Sequence, residues 1–276
     1  MPAAGCSVIL GVMSVSARTV VNLFAPLPPH AVVDGSREPT VSVVIPVVGD
    51  TEGLARLVRN LRSLPAPPDE IVIVDGGSSA GCRSIARRFR CVYVGTRIGR
   101  GHQLHAGALR ASGDVLWFLH VDTEPPPDGV MLIRQRHLAG HMGGFFTFRF
   151  TGSTTWYKRA LSRLINLRTR FGVPSGHQGL FVDRVAYDAA GGFADTPVFE
   201  EVPLVRALRR RGSFRRVGPS IGVSPRPWER DGWMWHSVRN RMLAIAYVAG
   251  VPPRRLVRRY QPLGPTEFPS VEDHPI

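Results

Sequence analysis

The sequence predicts an α/β protein: a single domain built on an open, mostly parallel sheet flanked by helices, with a mixed second half. Three observations lead to this prediction. From Val41 onward short β-branched runs alternate with segments of helical spacing, turn-forming residues separate them, and two of the runs lead into an aspartate. Strands that alternate with helices favour parallel pairing through crossover helices.

The first half alternates strictly. The run VSVVIP predicts a first strand that closes on Pro46, and TEGLARLVRNLRSL places its leucines at helical spacing. EIVIVDGGS predicts a second strand ending in Asp75, SAGCRSIARRFR a second helix and CVYVG a third strand. GHQLHAGALRAS then predicts a third helix, and GDVLWFLHVDT a fourth strand that runs into Asp122.

The second half reads as mixed. After three prolines we expect a helix near 129–139, a strand at 144–150 and a basic helix at 156–170. The segment GHQGLFVDRVAYDAAGGF predicts a strand with a helix, FEEVPLVRALRRRG a helix, and SFRRVGPSIGVSP a strand. These patterns indicate a domain over 41–230, preceded by a poorly ordered extension at 1–40. An amphipathic helical segment at 231–260 and a flexible tail at 261–276 follow.

Composition narrows the class of protein. The 276 residues are 43% hydrophobic, enough for a sizeable core, and no apolar run reaches the roughly 18–20 residues of a membrane span. Three cysteines without CxxC spacing suggest neither a disulfide framework nor a zinc site, and we expect a cytoplasmic protein without a signal peptide. The net charge of +14 favours anionic partners, although solvated helix faces also explain such arginine runs.

Two predicted strands lead into carboxylates on the same edge of the sheet. Asp75 follows IVIV and Asp122 follows WFLHV, and parallel connections would bring both to one crevice. A cap or turn role is an equal alternative for Asp75, which precedes GGSS. For Asp122 the prolines that follow make a helix cap the weaker interpretation.

Several segments together resemble glycosyltransferase family 2, which has the GT-A fold. They are VSVVIP, EIVIVDGGSSAGC, GRGHQLHAGALRASGDVLWFLHVDT, GHQGLFVDR with GGF, and FEEVPLVRALRRRG, in the family's order over about 41–230. A bacterial branch with FLHADT in place of the usual DXD motif, and with an RRWER element, is the most similar. Here that element is RPWER, at 226–230.

The resemblance implies transfer of a sugar from a nucleotide diphosphate donor, UDP in preference to GDP, with inversion at the anomeric carbon. It implies Mg or Mn, held by Asp122 and with His120 as a second ligand, because hard divalent cations prefer oxygen ligands and neutralise a leaving diphosphate. A packed His120 is an equal alternative. The implied donor-binding residues are Pro46, Asp75, Arg100, Asp122, Arg226 and Trp228.

The acceptor side of the site is implied by Glu200 and Glu201, which match the family's ED pair, and by His177 and Gln178. Inversion in one displacement needs a base opposite the leaving group, and Glu201 occupies the usual base position. The alternative is a helix start whose acidic residues complement the helix dipole.

Three further positions depart from the family's pattern. His177 replaces an aspartate, His105 an asparagine, and Glu201 an aspartate shorter by one methylene. They motivate the main rival hypothesis, a noncatalytic protein that binds a nucleotide sugar. A nucleotidyltransferase lacks support because VVGDTEG is not its phosphate loop, and nucleic-acid binding rests on charge alone, so we expect no nucleic-acid partner.

The segment GWMWHSVRNRMLAIAYVAGVPPRRLVRRY mixes tryptophans and aliphatic residues with arginines. Such a composition suits a helix at an anionic membrane surface, and core packing is an equal alternative. The first interpretation predicts a peripheral protein at the inner face of the membrane, acting on a lipid-linked or other hydrophobic acceptor.

Overall fold

A computed structural model of the chain describes residues 37–260. Residues 1–36 of the predicted extension and the predicted tail at 261–276 lie outside the described residues. The described part forms an eight-stranded mixed sheet in the order β3-β2-β1-β4-β7-β6-β8-β5. The strands are β1 Val41–Val47, β2 Glu70–Asp75, β3 Val92–Gly95, β4 Val115–Phe118, β5 Thr123–Glu124, β6 Gly143–Phe150, β7 Phe181–Asp183 and β8 Phe214–Val223.

Ten helices accompany these strands within residues 37–260. They are α1 Thr51–Arg62, α2 Ala80–Arg88, α3 Arg100–Arg110, α4 Gly129–Leu138, α5 Trp156–Phe171, α6 Arg184–Ala189, α7 Glu201–Arg211, α8 Arg226–Asp231, α9 Trp233–Val248 and α10 Pro253–Tyr260. A short 3-10 turn, Gly176–Gln178, precedes β7.

The sheet changes direction at β4. Strands β1 to β4 pair in parallel, β7 pairs antiparallel with both β4 and β6, and β5 pairs antiparallel with β8. The predicted α/β class, with a parallel first half and a mixed second half, is therefore confirmed. In such a sheet the carboxyl ends of β1, β2 and β4 share one edge, where a crevice forms.

The sheet is buried on both faces. Alternate residues of β1 point to opposite sides, so that Val43 packs with α1, α2 and α4 while Val44 packs with α3, α6 and α7. A strand covered on both faces reads as a continuous apolar run, which is why VSVVIP lacks alternation.

Local capping explains where the first helices begin. The Asp50 carboxylate accepts a hydrogen bond of 2.7 Å from Gly53 N, and the Ser79 hydroxyl accepts one of 3.1 Å from Cys82 N. Each satisfies an amide that lacks a partner inside its helix.

The sequence predictions need correction at the end of β4 and at 226–230. Strand β4 ends at Phe118, so Asp122 lies four residues beyond it, in the turn that leads to the unpredicted strand β5. The segment at 226–230, for which we predicted no helix, is helix α8, with Pro227 in its first turn. The predicted C-terminal helical segment contains two helices, α9 and α10, which are separated by residues 249–252.

Candidate active site

The carboxyl ends of β1 and β2 are joined by a buried glutamine that the sequence analysis did not single out. Gln103, on α3, donates from its Nε2 to Val47 O at 3.0 Å and to Val74 O at 2.9 Å. Pro46 lies buried in β1 opposite Val74. Gln103 thereby holds the floor of the crevice at the point where two parallel strands end.

Asp75, the last residue of β2, is fully buried and closes the turn that follows the strand. Its Oδ1 accepts from Gly77 N at 2.9 Å, and its Oδ2 accepts from Ser79 N at 2.6 Å and from the Tyr93 hydroxyl at 3.2 Å. The turn role that we considered for this residue is therefore present in the structure.

Asp122 lies beside two histidines. His177 Nε2 is 3.8 Å from Asp122 Oδ2, and the rings of His120 and His177 are stacked with centroids 4.6 Å apart. The turn is fixed because Thr123 donates from both its amide and its hydroxyl to His120 O, and because Ser224 N donates to Asp122 O at 3.1 Å. Asp122 and His120, predicted together, are thus brought together by the structure, and His177 joins them.

The second carboxylate oxygen of Asp122 is the feature that fits a cation. Asp122 Oδ1 is buried and has no hydrogen-bond partner in the described part of the chain, although buried polar atoms are nearly always paired. Burial lowers the pKa of His120 well below its usual value and also lowers that of His177, so both rings are neutral and able to ligate. Within residues 37–260 no preformed group of three His, Cys, Asp or Glu side chains holds a metal, so a cation would need further oxygen ligands from its substrate.

Two adjacent glutamates form the acidic part of the site. Glu200 precedes α7 and is 1% exposed, and Glu201 begins the helix and is 9% exposed. Glu200 Oε1 lies 2.5 Å from Arg100 Nε, while the Oε2 atoms of both glutamates are buried without a hydrogen-bond partner in the described residues. Burial, followed by the charge of Glu200, raises the pKa of Glu201 to about 7.

The predicted acceptor-side pair divides into two roles. Gln178 is fully buried, donates to Phe146 O at 3.2 Å and accepts from Ser175 N at 3.2 Å. These bonds fix the 3-10 turn and hold the neighbouring His177 against His120. Gln178 therefore fixes the turn, whereas His177 lies beside Asp122 and His120.

Helix α8 begins two residues after Ser224, whose amide donates to Asp122 O. Trp228 packs against Phe150 and His236, with ring centroids 5.0 Å and 4.6 Å away, whereas Arg226 is exposed. Asp231 accepts hydrogen bonds from the side chains of Arg230, His236 and Arg239, and these bonds, led by that of Arg230, keep its pKa well below its usual range. This network, which sequence reasoning missed, fastens α8 to α9.

A shared electrostatic environment links most of the predicted residues. The pKa of His177 responds, after burial, to Asp122, Arg100 and Glu200, and that of His120 to His177 and Arg100. Asp75 stands apart from this cluster because its carboxylate faces its own turn.

The model of the glycosyl transferase family 2 domain matches residues 42–194, more than half of the chain. The chain belongs to glycosyl transferase family 2. The matched range contains Asp75, Asp122 and His177 but ends before Glu200 and Glu201.

Individual relatives match over less than half of the chain. The undecaprenyl-phosphate 4-deoxy-4-formamido-L-arabinose transferase of Enterobacter sp. (strain 638) is 30% identical over 139 residues, which are 46% of this chain and 42% of the relative. Glycosyltransferase AglE of Haloferax volcanii is 32% identical over 96 residues, 32% of each chain. The chain therefore spans less than half the length of these curated relatives.

Solved structures share the fold over a longer range. Glucosyl-3-phosphoglycerate synthase from Mycobacterium tuberculosis, in complex with Mn²⁺, UDP and glucosyl-3-phosphoglycerate, is 19% identical and covers 78% of this chain and 81% of its own, with a TM-score of 0.54. A mannosyltransferase from Pyrobaculum calidifontis, in complex with GDP-Man and Mn²⁺, is 18% identical and covers 79% and 67%, with a TM-score of 0.58. The family 2 chain thus has the predicted GT-A fold.

Proposed function

We propose that this protein is an inverting, metal-dependent glycosyltransferase that moves a sugar from a nucleotide diphosphate donor to an acceptor hydroxyl. The observation that carries the proposal is the buried Glu201 carboxylate, which has an unpartnered oxygen and a pKa of about 7, in the same site as Asp122. A base whose pKa lies near the working pH is unprotonated in a large fraction of the molecules and still binds a proton readily.

The donor would occupy the crevice at the ends of β1, β2 and β4. Pro46 and Asp75 would border the nucleoside, with UDP preferred to GDP, while Arg100 and Arg226 would supply positive charge for the diphosphate and Trp228 would form the rim. Support comes from the UDP complex of a protein with the same fold, although another such protein binds GDP-Man. The sequence FLHVDT also supports placing the chain in the branch with FLHADT.

Mg²⁺ or Mn²⁺ would be held by Asp122 and His120. The unpartnered Asp122 Oδ1 is an oxygen ligand of the kind that such hard cations prefer, and the His120 imidazole would add a nitrogen donor. When bound, such a cation neutralises charge on the departing diphosphate.

The transfer step is a single displacement. Glu201 accepts the proton of the acceptor hydroxyl as its oxygen attacks the anomeric carbon. The bond from that carbon to the diphosphate oxygen breaks, its electron pair leaves with the nucleoside diphosphate, and the configuration at carbon inverts. Arg100 and Arg226 stabilise the negative charge that develops on the diphosphate.

We further propose that the acceptor is lipid-linked and that the protein works at the inner face of the membrane. One relative is named for transfer to undecaprenyl phosphate. Helix α9 exposes an apolar face, which we define as Met234, Trp235, Val238, Met242, Ile245 and Val248, while its other side packs on the domain through Leu243 and His236.

An anionic bilayer is the partner that fits the apolar face. Exposed arginines flank it, with Arg241 on α9 and with Arg254 and Arg255 on α10, and the net charge of the chain is +14. Apolar side chains with flanking cations suit a helix lying in a lipid interface. None of the helices within 37–260 has the length and apolarity needed to span a membrane.

A thermal-shift panel followed by turnover tests the proposal. UDP, GDP and their sugars are added with and without Mn²⁺, because a ligand that binds the folded state raises Tm by mass action. We expect a metal-dependent shift with UDP or its sugars, and a product of inverted anomeric configuration by NMR. Binding without transfer would favour the noncatalytic alternative, and the absence of any shift would contradict the donor site.

A further inference from the structure

An ion pair joins the two halves of the site. Arg100 is the first residue of α3, on the donor side, and Glu200 immediately precedes α7, which carries the proposed base. Arg100 Nε lies 2.5 Å from Glu200 Oε1, and the side chains are 33% and 1% exposed. Charge-assisted bonds of this length to a buried carboxylate are strong and directional.

A glycine allows the two segments to approach so closely. A Cβ on Gly101 would lie 2.2 Å from Ala194 O and 2.9 Å from the Glu200 Cβ. Arg97 and Asp195 form a second, exposed ion pair between the same two segments. Two ion pairs therefore hold the start of α3 against the loop at 194–200, and we call these two pairs the clasp. Arg100 is the member of the clasp that bonds to a buried carboxylate.

Three charged or titratable side chains from separate elements interact with the glutamate pair. Arg100 comes from α3 and Arg168 from α5, and both lower the pKa of Glu201, whereas Glu200 raises it. His177, from the 3-10 turn, interacts with Glu200. Among these groups, Arg100 is the cation with a direct bond to the pair.

We infer that Arg100 is a positioning residue for the reaction, which holds Glu200 in place and through it fixes the orientation and proton affinity of Glu201. This inference rests on the proposed function, in which Glu201 is the base. It gives Arg100 two separable duties: contact with the donor diphosphate, which affects the KM for the donor, and control of the base, which affects the pH dependence.

Titration of the Glu201 side chain by carbon-13 NMR, in the full chain without substrate, tests this inference independently of turnover. The Glu201→Gln variant assigns the signal. We expect the midpoint to rise by about one pH unit in Arg100→Gln, which leaves the charge of Glu200 uncompensated, and to fall by a similar amount in Glu200→Gln. The double variant should lie between the two, and Arg100→Lys should stay near the wild type.

Arg97→Gln is the matched control, because it removes the exposed ion pair of the same clasp and should leave the midpoint unchanged. Movement of both single variants in one direction, or no movement in either, would overturn the inference. Glu200→Gln is nearly isosteric and keeps the test available if Arg100→Gln does not fold. If the midpoints move as expected but no variant or wild-type protein transfers sugar, the electrostatic coupling stands and the proposed function fails.

Discussion

The imidazole rings of His120 and His177 are stacked, with centroids 4.6 Å apart and an interplanar angle of 28°. Gly176 makes room for this pair, because a Cβ at that position would lie 2.8 Å from His120 Nε2. The buried His120 and the partly exposed His177 and Asp122 together form a small cluster. The proposed binding of a cation by Asp122 in this cluster can be tested directly.

Replacement of Asp122 by Asn should abolish the Mn²⁺-dependent part of the thermal shift with UDP, because the amide loses the charge that holds the cation. Transfer should fall by about 10²–10³-fold, the scale expected when a charge partner of the transition state is removed. Asp128→Asn is the control, since Asp128 is exposed and its side chain makes no capping bond. An unchanged metal dependence in Asp122→Asn would remove this residue from the cation site.

The pH dependence of transfer should follow Glu201. Because its pKa is about 7, kcat/KM should fall as the pH drops below about 7 and the base becomes protonated. Glu201→Gln should lose nearly all activity at every pH. A rate that does not vary between pH 5.5 and 8 would exclude Glu201 as the base.

The free energy of unfolding should show the opposite pH dependence. The folded pKa of Glu201 is raised from 4.5 to about 7, so the folded state binds more protons between these values, and the free energy of unfolding decreases as the pH rises through this window. Glu201→Gln removes this loss, which is on the order of a few kcal/mol at about 1.4 kcal/mol per pKa unit. Urea unfolding of both proteins at pH 5 and pH 8 should show that the variant gains relative stability at the higher pH.

Gln103→Leu should destabilise the protein by about 1–3 kcal/mol, because it removes the side-chain donor that bonds to the buried carbonyls of Val47 and Val74, of which Val47 O keeps its bond from Gly76 N. Gln135→Leu, on the exposed side of α4, is the control and should change the free energy of unfolding by less than about 0.5 kcal/mol. Equal effects of the two changes in urea unfolding would show that Gln103 does not hold the strand ends.

Gly101→Ala should cost about 1–3 kcal/mol of stability, since the new methyl group overlaps the Ala194 carbonyl and the backbone there must move. It should also displace the loop that carries Glu200. Gly77→Ala is a suitable control, because its nearest neighbour would be Asp75 Oδ1 at 3.6 Å. If Gly101→Ala matched its control in unfolding free energy, the two segments would be less tightly joined than the structure indicates.

The apolar face should bind anionic vesicles. Trp235→Glu combined with Met242→Glu should abolish sedimentation with vesicles of anionic phospholipid at low salt, because both side chains are exposed on α9. Leu109→Glu alters an exposed apolar residue on α3 and should leave sedimentation unchanged. Wild-type protein that stays in the supernatant at low salt would contradict the membrane proposal.

Much of the fold could be predicted because its first half follows local rules. The buried runs of β1 and β2, the helical spacing of α1 and the separating prolines each indicate one element. Strand β5 could not be predicted, since two residues carry no periodicity and their pairing with β8 is set by contacts about one hundred positions away. Helix α8 was missed because two prolines at its start resemble a loop.

The residue types of the site could be predicted from the sequence, but the contacts between them could be predicted only in part. Asp122, His120 and Glu201 stand in recognisable motifs, and the structure brings them into one neighbourhood. The stack of His177 on His120 and the bond from Arg100 to Glu200 join residues 57 and 100 positions apart, which no local pattern encodes. Gln103 carried no signal beyond being a polar residue on the buried face of α3.

The hydrogen bond from Ser224 N to Asp122 O has a mechanical consequence. Ser224 lies two residues before α8, which is tied through Asp231 to the helix that bears the apolar face. The helix that bears the apolar face and the turn of Asp122 are therefore connected by the bonds of Asp231, by helix α8 and by the single bond from Ser224. A substitution that loosens the Asp231 network should for this reason also affect the position of Asp122.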